Sequence, residues 1–142
     1  EIADRDWSSD VCSSDLRFVR DNDGTGAAII PDSTEVAAVQ AYIDARRPVT
    51  AQLTVIAPTA VPLNFTITGL TPSNAAVQAA VQTELQDMLR RESTPGGTIL
   101  LSHMRAAISA AAGETDYTLT SPVANVTNTV GNMTTMGTIT WV

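Results

Sequence analysis

The stretch TPSNAAVQAAVQTELQDMLRRES, residues 71–93, decides the fold, because its pattern predicts one amphipathic helix. Ser73 or Asn74 can accept a hydrogen bond from a backbone N–H group that the first helical turn leaves unpaired. Arg90 and Arg91 lie at the other end, where the helix dipole favours cations. The apolar side chains recur at helical spacing and predict a buried stripe made of Val77, Val81, Leu85, Met88 and Leu89.

A second helix is predicted after TPGG, residues 94–97, in LLSHMRAAISAAAGETD, residues 100–116. Ser102 is its predicted N-terminal cap. Gly113 is predicted to close it, at the position where a left-handed C-terminal cap is usual. The apolar face of this helix consists of Leu101, Met104 and Ile108.

Alternating apolar and polar residues predict strands on both sides of the two helices. Before them, AQLTVIAPTAVPLNFTITGL, residues 51–70, predicts two strands. Pro58 and Pro62 mark the break between these strands and favour an edge position or a bulge. After the helices, strands are predicted at residues 117–119, 123–127 and 136–142.

A shorter strand–helix–strand pattern precedes these elements, beginning with a strand at residues 18–20. In the helix that follows, Asp32 or Ser33 is the predicted cap, and Glu35 completes a capping box with Asp32. Pro48 ends the helix, since the residue before a proline disfavours the helical region. One face of this helix carries Val36, Val39, Tyr42 and Ile43.

Two consecutive helices between groups of strands predict an α+β fold, in which the helices pack on a small antiparallel or mixed sheet. We expect the stripe of the first helix to pack on Leu63, Phe65 and Ile67. The predicted domains are a C-terminal α+β domain at residues 59–142 and the remnant of a middle domain at residues 17–58.

Residues 1–16, EIADRDWSSDVCSSDL, show no periodicity and lack the apolar segment of a signal peptide. Written back into codons, residues 6–16 match a common sequencing-library adapter, and residues 1–5 fit its index and upstream primer. We therefore interpret residues 1–16 as translated adapter and expect them to be disordered and to pack against nothing. The natural sequence is then expected to begin at Arg17, in mid-protein.

Composition argues against several classes of partner. The net charge is −7, and residues 1–16 hold five acidic residues and one basic residue, so the remainder carries −3. No basic cluster exceeds two adjacent arginines, which argues against nucleic acid. No apolar run approaches the ~18 residues that span a bilayer. The only cysteine, Cys12, lies in the adapter segment, which leaves no disulfide framework.

His103 is the only histidine and the strongest candidate for chemistry. Neighbouring side chains on a helix point about 100° apart, so Ser102 and His103 cannot pair as nucleophile and base. The sequence has no second histidine, and its only cysteine lies in the adapter segment, so neither residue type could join His103 on a metal ion. We therefore interpret His103 as a surface histidine.

The other polar groups are also interpreted without a chemical function. Asp21 and Asp23 precede a glycine but lack the further ligands of a calcium loop, which favours a solvated turn. Glu84, Asp87 and Glu92 lie on the polar flank of their helix. The N-x-T triplets are attributed to the abundance of threonine, and begin at Asn64, Asn125 and Asn132. The sequence thus predicts no catalytic, metal or cofactor-binding residue and no small-molecule substrate.

The order of the segments resembles the C-terminal part of baseplate J-like proteins of contractile-tailed bacteriophages. The resemblance covers residues 17–142 and rests on VAAVQAYID leading into RRPVTAQLTVIAPT, on the helices separated by TPGGTILLS, and on AISAAAG before the closing GTITWV. It implies a structural, non-enzymatic subunit of the baseplate wedge. It also implies other wedge subunits as partners, assembly in the bacterial host cytoplasm and a final location in the virion tail.

If the protein acts by docking, the closing strand is the candidate interface, with Met136, Ile139 and Trp141, because amphipathic aromatic residues concentrate interface energy. The alternative for Ile139 and Trp141 is that they fill the core of their own domain. An alternative function is a secreted or surface-displayed domain whose threonine-rich strands bind glycan or peptide. A small hydrolase with His103 as its base is the third and least favoured hypothesis.

Overall fold

The computed structural model describes residues 13–20, 29–49 and 51–142. The chain divides into two compact units, residues 1–57 and residues 58–142. The turn predicted around Asp21 and Asp23 lies outside the described residues.

The described part of the first unit is a strand–helix–strand motif. Strand β1 is Ser13–Arg17, helix α1 is Ser33–Asp44 and strand β2 is Gln52–Ile56. The two strands pair in parallel. The predicted capping box is confirmed, since Glu35 N–H donates to Asp32 Oδ1 and Asp32 N–H donates to Glu35 Oε2, each at 2.9 Å.

Two predictions for the first unit are wrong. The strand predicted at residues 18–20 lies instead at Ser13–Arg17. Residues 13–16 were also expected to pack against nothing, yet they pair with β2 from Gln52 to Val55. Backbone pairing requires only an extended chain beside an open strand edge, so the absence of side-chain periodicity does not prevent it.

Helix α1 contacts β2 through a residue outside its predicted apolar face. The Gln40 side-chain amide accepts from Val55 N–H at 2.7 Å and donates to the Leu53 carbonyl at 2.9 Å. No residue of α1 is fully buried, and Tyr42 is 61% exposed, with the Arg46 guanidinium 3.8 Å from its ring centre. The Gln40 amide therefore bonds this edge of β2 as a neighbouring strand would.

The second unit has an α+β fold, as predicted. Its elements in chain order are β3 Thr59–Thr71, α2 Ala75–Glu92, β4 Thr98–Ile99, α3 Leu101–Ala110, β5 Asp116–Ser121, β6 Val126–Thr127 and β7 Asn132–Trp141. The central three-stranded sheet has the order β5-β3-β7, with β5 antiparallel and β7 parallel to β3. The two short strands β4 and β6 form a separate antiparallel pair.

The strands on either side of Pro58 are separate, as predicted, but Pro62 lies inside β3 instead of between two strands. At Pro62 only β7 pairs with β3, because β5 pairs with β3 from Thr66 onward. A proline has no N–H to donate to a neighbouring strand. It is tolerated at this position because only one edge of β3 is paired here. The strand predicted at residues 123–127 shortens to Val126–Thr127.

The core of the second unit lies between its own helices, α2 and α3, and the central sheet. Every residue of the predicted α2 stripe is buried, which confirms it, and Asn74 caps the helix by accepting from Val77 N–H at 3.0 Å. The stripe shares one apolar cluster with Phe65 and Ile67, both 0% exposed, and half-buried Leu63 packs against this cluster.

Helix α3 is present, but its predicted cap is wrong. The capping position belongs to Leu100, and Ser102 lies within the first turn. Asn125 supplies the missing acceptor, because its Oδ1 receives the Leu101 N–H at 2.9 Å. Gly113 follows the helix with a φ of +85°, the left-handed conformation expected for it.

Candidate assembly surface

Strand β7 carries the three predicted interface residues and contains a bulge. Leu63 pairs with Met136 and Phe65 pairs with Ile139, so β7 has one more residue than β3 over this interval. Asn64 holds the bulge: its Oδ1 accepts from Thr138 N–H at 3.0 Å and from the Thr138 hydroxyl at 3.2 Å. The bulge changes which backbone groups of β7 face β3.

Before the bulge, other parts of the unit cover the outer edge of β7. The Asn132 carbonyl accepts from Gly96 N–H at 2.8 Å. The Thr134 carbonyl accepts from the buried Ser93 hydroxyl at 2.6 Å. The segment after α2 therefore closes the edge from residue 132 to residue 134.

After the bulge, the backbone of β7 bonds to β3 through its even-numbered residues. Val142 N–H donates to the Ile67 carbonyl, and the Val142 carbonyl accepts from Gly69 N–H, both at 3.0 Å. Successive residues of a strand direct their backbone groups to opposite sides. The N–H and C=O groups of Ile139 and Trp141 consequently point away from β3, and no described residue bonds to them.

The side chains of the predicted interface have a different environment from this edge. Met136, Ile139 and Trp141 are half-buried and pack against the core cluster of the second unit. They contribute to the core of their own unit while keeping part of their surface accessible. The outward backbone groups were not recognisable from the sequence, because the bulge that exposes them depends on Asn64, 74 residues away from Thr138.

His103 lies in a groove of about 360 Å³ between α2 and α3. Its Nδ1 is 2.7 Å from Glu92 Oε2, and the side chain is 48% exposed. Glu84 and Arg91 also line the groove, whereas Asp87 does not. Over the described residues, no group of three or more His, Cys, Asp or Glu side chains is arranged to hold a metal ion.

Two threonine side chains in the strands of the alternative function, those of Thr120 and Thr127, bond within the sheets. The Thr68 hydroxyl contacts the Thr120 hydroxyl and lies 3.4 Å from the Thr118 carbonyl oxygen. The Thr98 and Thr127 hydroxyls are 3.0 Å apart. These contacts stabilise strand pairing. Among the described helices, none has the length and apolar character needed to cross a membrane.

Comparison with known proteins gives matches along both units. The model of the baseplate J-like protein C-terminal domain matches residues 63–142, and that of the baseplate J-like central domain matches residues 15–57. Protein JayE of Escherichia coli is 36% identical over 111 residues, which cover 78% of this chain and 41% of JayE. The Mu-like prophage FluMu protein gp47 of Haemophilus influenzae is 31% identical over 80% of this chain and 34% of that protein. The chain thus spans less than half the length of these relatives.

Proposed function

This chain belongs to the baseplate J-like protein family, and on that basis we propose that it is a structural component of a phage or prophage tail baseplate. The observation that carries the proposal is the match of the family's C-terminal domain to residues 63–142, nearly the whole second unit. The molecule acts by binding other baseplate wedge subunits during assembly of a contractile tail. It is assembled in the host cytoplasm and retained in the virion.

The surface of the second unit suits protein contact better than contact with nucleic acid or turnover of a substrate. Residues 117–142 carry no Asp, Glu, Lys, Arg or His, so both β5 after Asp116 and the whole of β7 are uncharged. Binding to a polyphosphate backbone requires cationic side chains, whereas the centres of protein interfaces are depleted of charge. We propose that docking uses β7, with Met136, Ile139 and Trp141 on the contacting surface.

The test is the composition of tails purified from a phage or prophage whose baseplate J-like gene encodes this segment. Quantitative mass spectrometry is expected to find peptides from residues 58–142 at a fixed ratio to other baseplate proteins. A strain that makes the protein but assembles no tails is the control, and the peptides should be absent from its tail-sized fraction. Intact, infectious tails without these peptides would contradict the proposal.

A further inference from the structure

We propose that the edge of β7 after its bulge binds an extended, uncharged segment of a neighbouring baseplate subunit, which adds to the sheet as a fourth strand. The inference rests on the proposed function and adds to it the mode of contact and the chemistry of the partner segment. The site is the open edge at Ile139 and Trp141.

The hydrogen-bonding pattern selects the conformation of the partner. Ile139 and Trp141 each direct one N–H donor and one C=O acceptor outward, which follows from the bonds of Val142 to β3. The two residues are separated by about 7 Å at the usual rise of a strand. Only an extended main chain presents alternating donors and acceptors at this spacing, so the bound segment is a β-strand.

The remaining exposed strand edges of this sheet are protected in ways that the end of β7 is not. The outer edge of β5 begins at charged Asp116 and is followed by Pro122, and the open part of β3 contains Pro62. Charged residues and prolines at strand edges discourage pairing with another chain. Residues 138–142 contain neither, and no described segment covers their outer edge as the Ser93–Gly96 loop covers residues 132–134.

The charge of the surroundings selects the composition of the partner. Every residue from 117 to 142 is uncharged, and half-buried Ile139 and Trp141 flank the edge. A charged side chain placed beside them would lose hydration without gaining an opposite charge from β7. The partner segment is accordingly neutral, with apolar side chains at alternate positions, where they extend the apolar face that Ile139 and Trp141 present to the core.

Amide hydrogen exchange tests the site directly, measured on the 142-residue chain alone and on the same segment within purified tails. In the free chain, the Ile139 and Trp141 amides should exchange rapidly, while the Val142 amide, bonded to Ile67, should be protected. In tails, all three should be protected. If the protein is present in tails and the two outward amides still exchange rapidly, the edge proposal fails while the proposed function stands. Absence of the protein from tails overturns both.

A pair of substitutions separates the backbone contact from the side-chain contact. Ile139→Ala and Ile139→Pro both remove the half-buried side chain, but only proline also removes the outward N–H, which β3 does not use. Loss of one such hydrogen bond should weaken the contact by a few-fold to about tenfold, so tail yield should be lower for Ile139→Pro than for Ile139→Ala. Equal tail yields would overturn the proposal. If Ile139→Pro does not fold, the exchange measurement on the parent protein decides.

Discussion

Gly137 shows how closely a single residue can control the geometry of the sheet. A methyl group added there would lie 2.6 Å from the Leu63 carbonyl oxygen and 2.8 Å from the carbonyl carbon, both of which belong to a paired backbone. We expect Gly137→Ala to reduce the free energy of unfolding by about 1–3 kcal/mol, because the bulge must open to accommodate the methyl group. Urea denaturation of the purified chain measures this change.

Gly69→Ala is the control for Gly137→Ala. At Gly69 an added methyl group meets no atom within 4 Å, but φ is +67°. Its cost should be limited to the strain of a left-handed alanine, about 1 kcal/mol. A Gly137→Ala protein as stable as the parent would show that the bulge does not depend on close approach at this position.

The cap of α3 gives a second prediction at the scale of residues. Asn125→Ala should destabilise the second unit by about 0.5–2 kcal/mol, because the Leu101 N–H loses its acceptor. Ser102→Ala should change stability by no more than about 0.5 kcal/mol, since Ser102 is exposed and does not cap the helix. Thermal unfolding followed by circular dichroism compares the two. The reverse order of effects would restore Ser102 as the cap.

A contact between two residues is predictable from the sequence when the residues lie close together along the chain. Asp32 with Glu35, and Asn74 with Val77, are three residues apart, so a local pattern predicts both caps. Asn125 lies 24 residues from Leu101, and no local pattern relates them. The local pattern therefore predicts the nearest hydroxyl, Ser102, as the cap of α3, and gives the N-x-T triplet at Asn125 no structural role.

At the scale of elements, α2 supplies the main apolar contribution to the core. Leu85 is 0% exposed and belongs to the central cluster, so Leu85→Ala should cost about 2–5 kcal/mol through lost apolar transfer energy and the remaining cavity. Gln82→Ala, on the exposed face of the same helix, should be nearly neutral. Equal stabilities of the two variants in urea denaturation would contradict the assigned orientation of α2.

The contribution of β1 to the first unit can be tested by comparing two neighbouring amides of β2. Gln40 bonds the Val55 N–H on one edge of β2, so the Thr54 N–H faces β1 on the other. A chain that begins at Arg17 should lose hydrogen-exchange protection at Thr54 but retain it at Val55. A chain that begins at Ser13 is the matched control. Unchanged protection at Thr54 would show that β1 does not stabilise β2.

The helices were easier to predict than the strands for a physical reason. The stripe of α2 repeats every three or four residues within one segment and is visible without knowledge of the fold. Strand β1 has no comparable pattern. It forms because it pairs with the edge of β2, and each paired residue of β2 lies 39 residues further along the chain. Pro62 correctly predicts an unpaired strand edge but not a strand boundary. The sequence does not show that β5 pairs with β3 only from Thr66 onward, which leaves this edge of β3 open at Pro62.

At the scale of the whole molecule, the order of elements identified the family when no single residue could. The resemblance extended over residues 17–142, and the matched domains cover residues 15–57 and 63–142. The match extends along both units and does not rest on one short motif. The open edge of β7 is not predictable from the sequence, because it depends on a bulge, on the pairing register and on a loop that covers only part of the strand.

Electron cryo-microscopy of purified tails tests most directly whether this chain is a structural part of a tail baseplate. The expected map shows the β5-β3-β7 sheet with α2 and α3 packed on it, repeated at equivalent positions around the baseplate and in contact with other subunits. A complete baseplate whose density accommodates no copy of this unit, in tails from cells that produce the protein, would contradict the account.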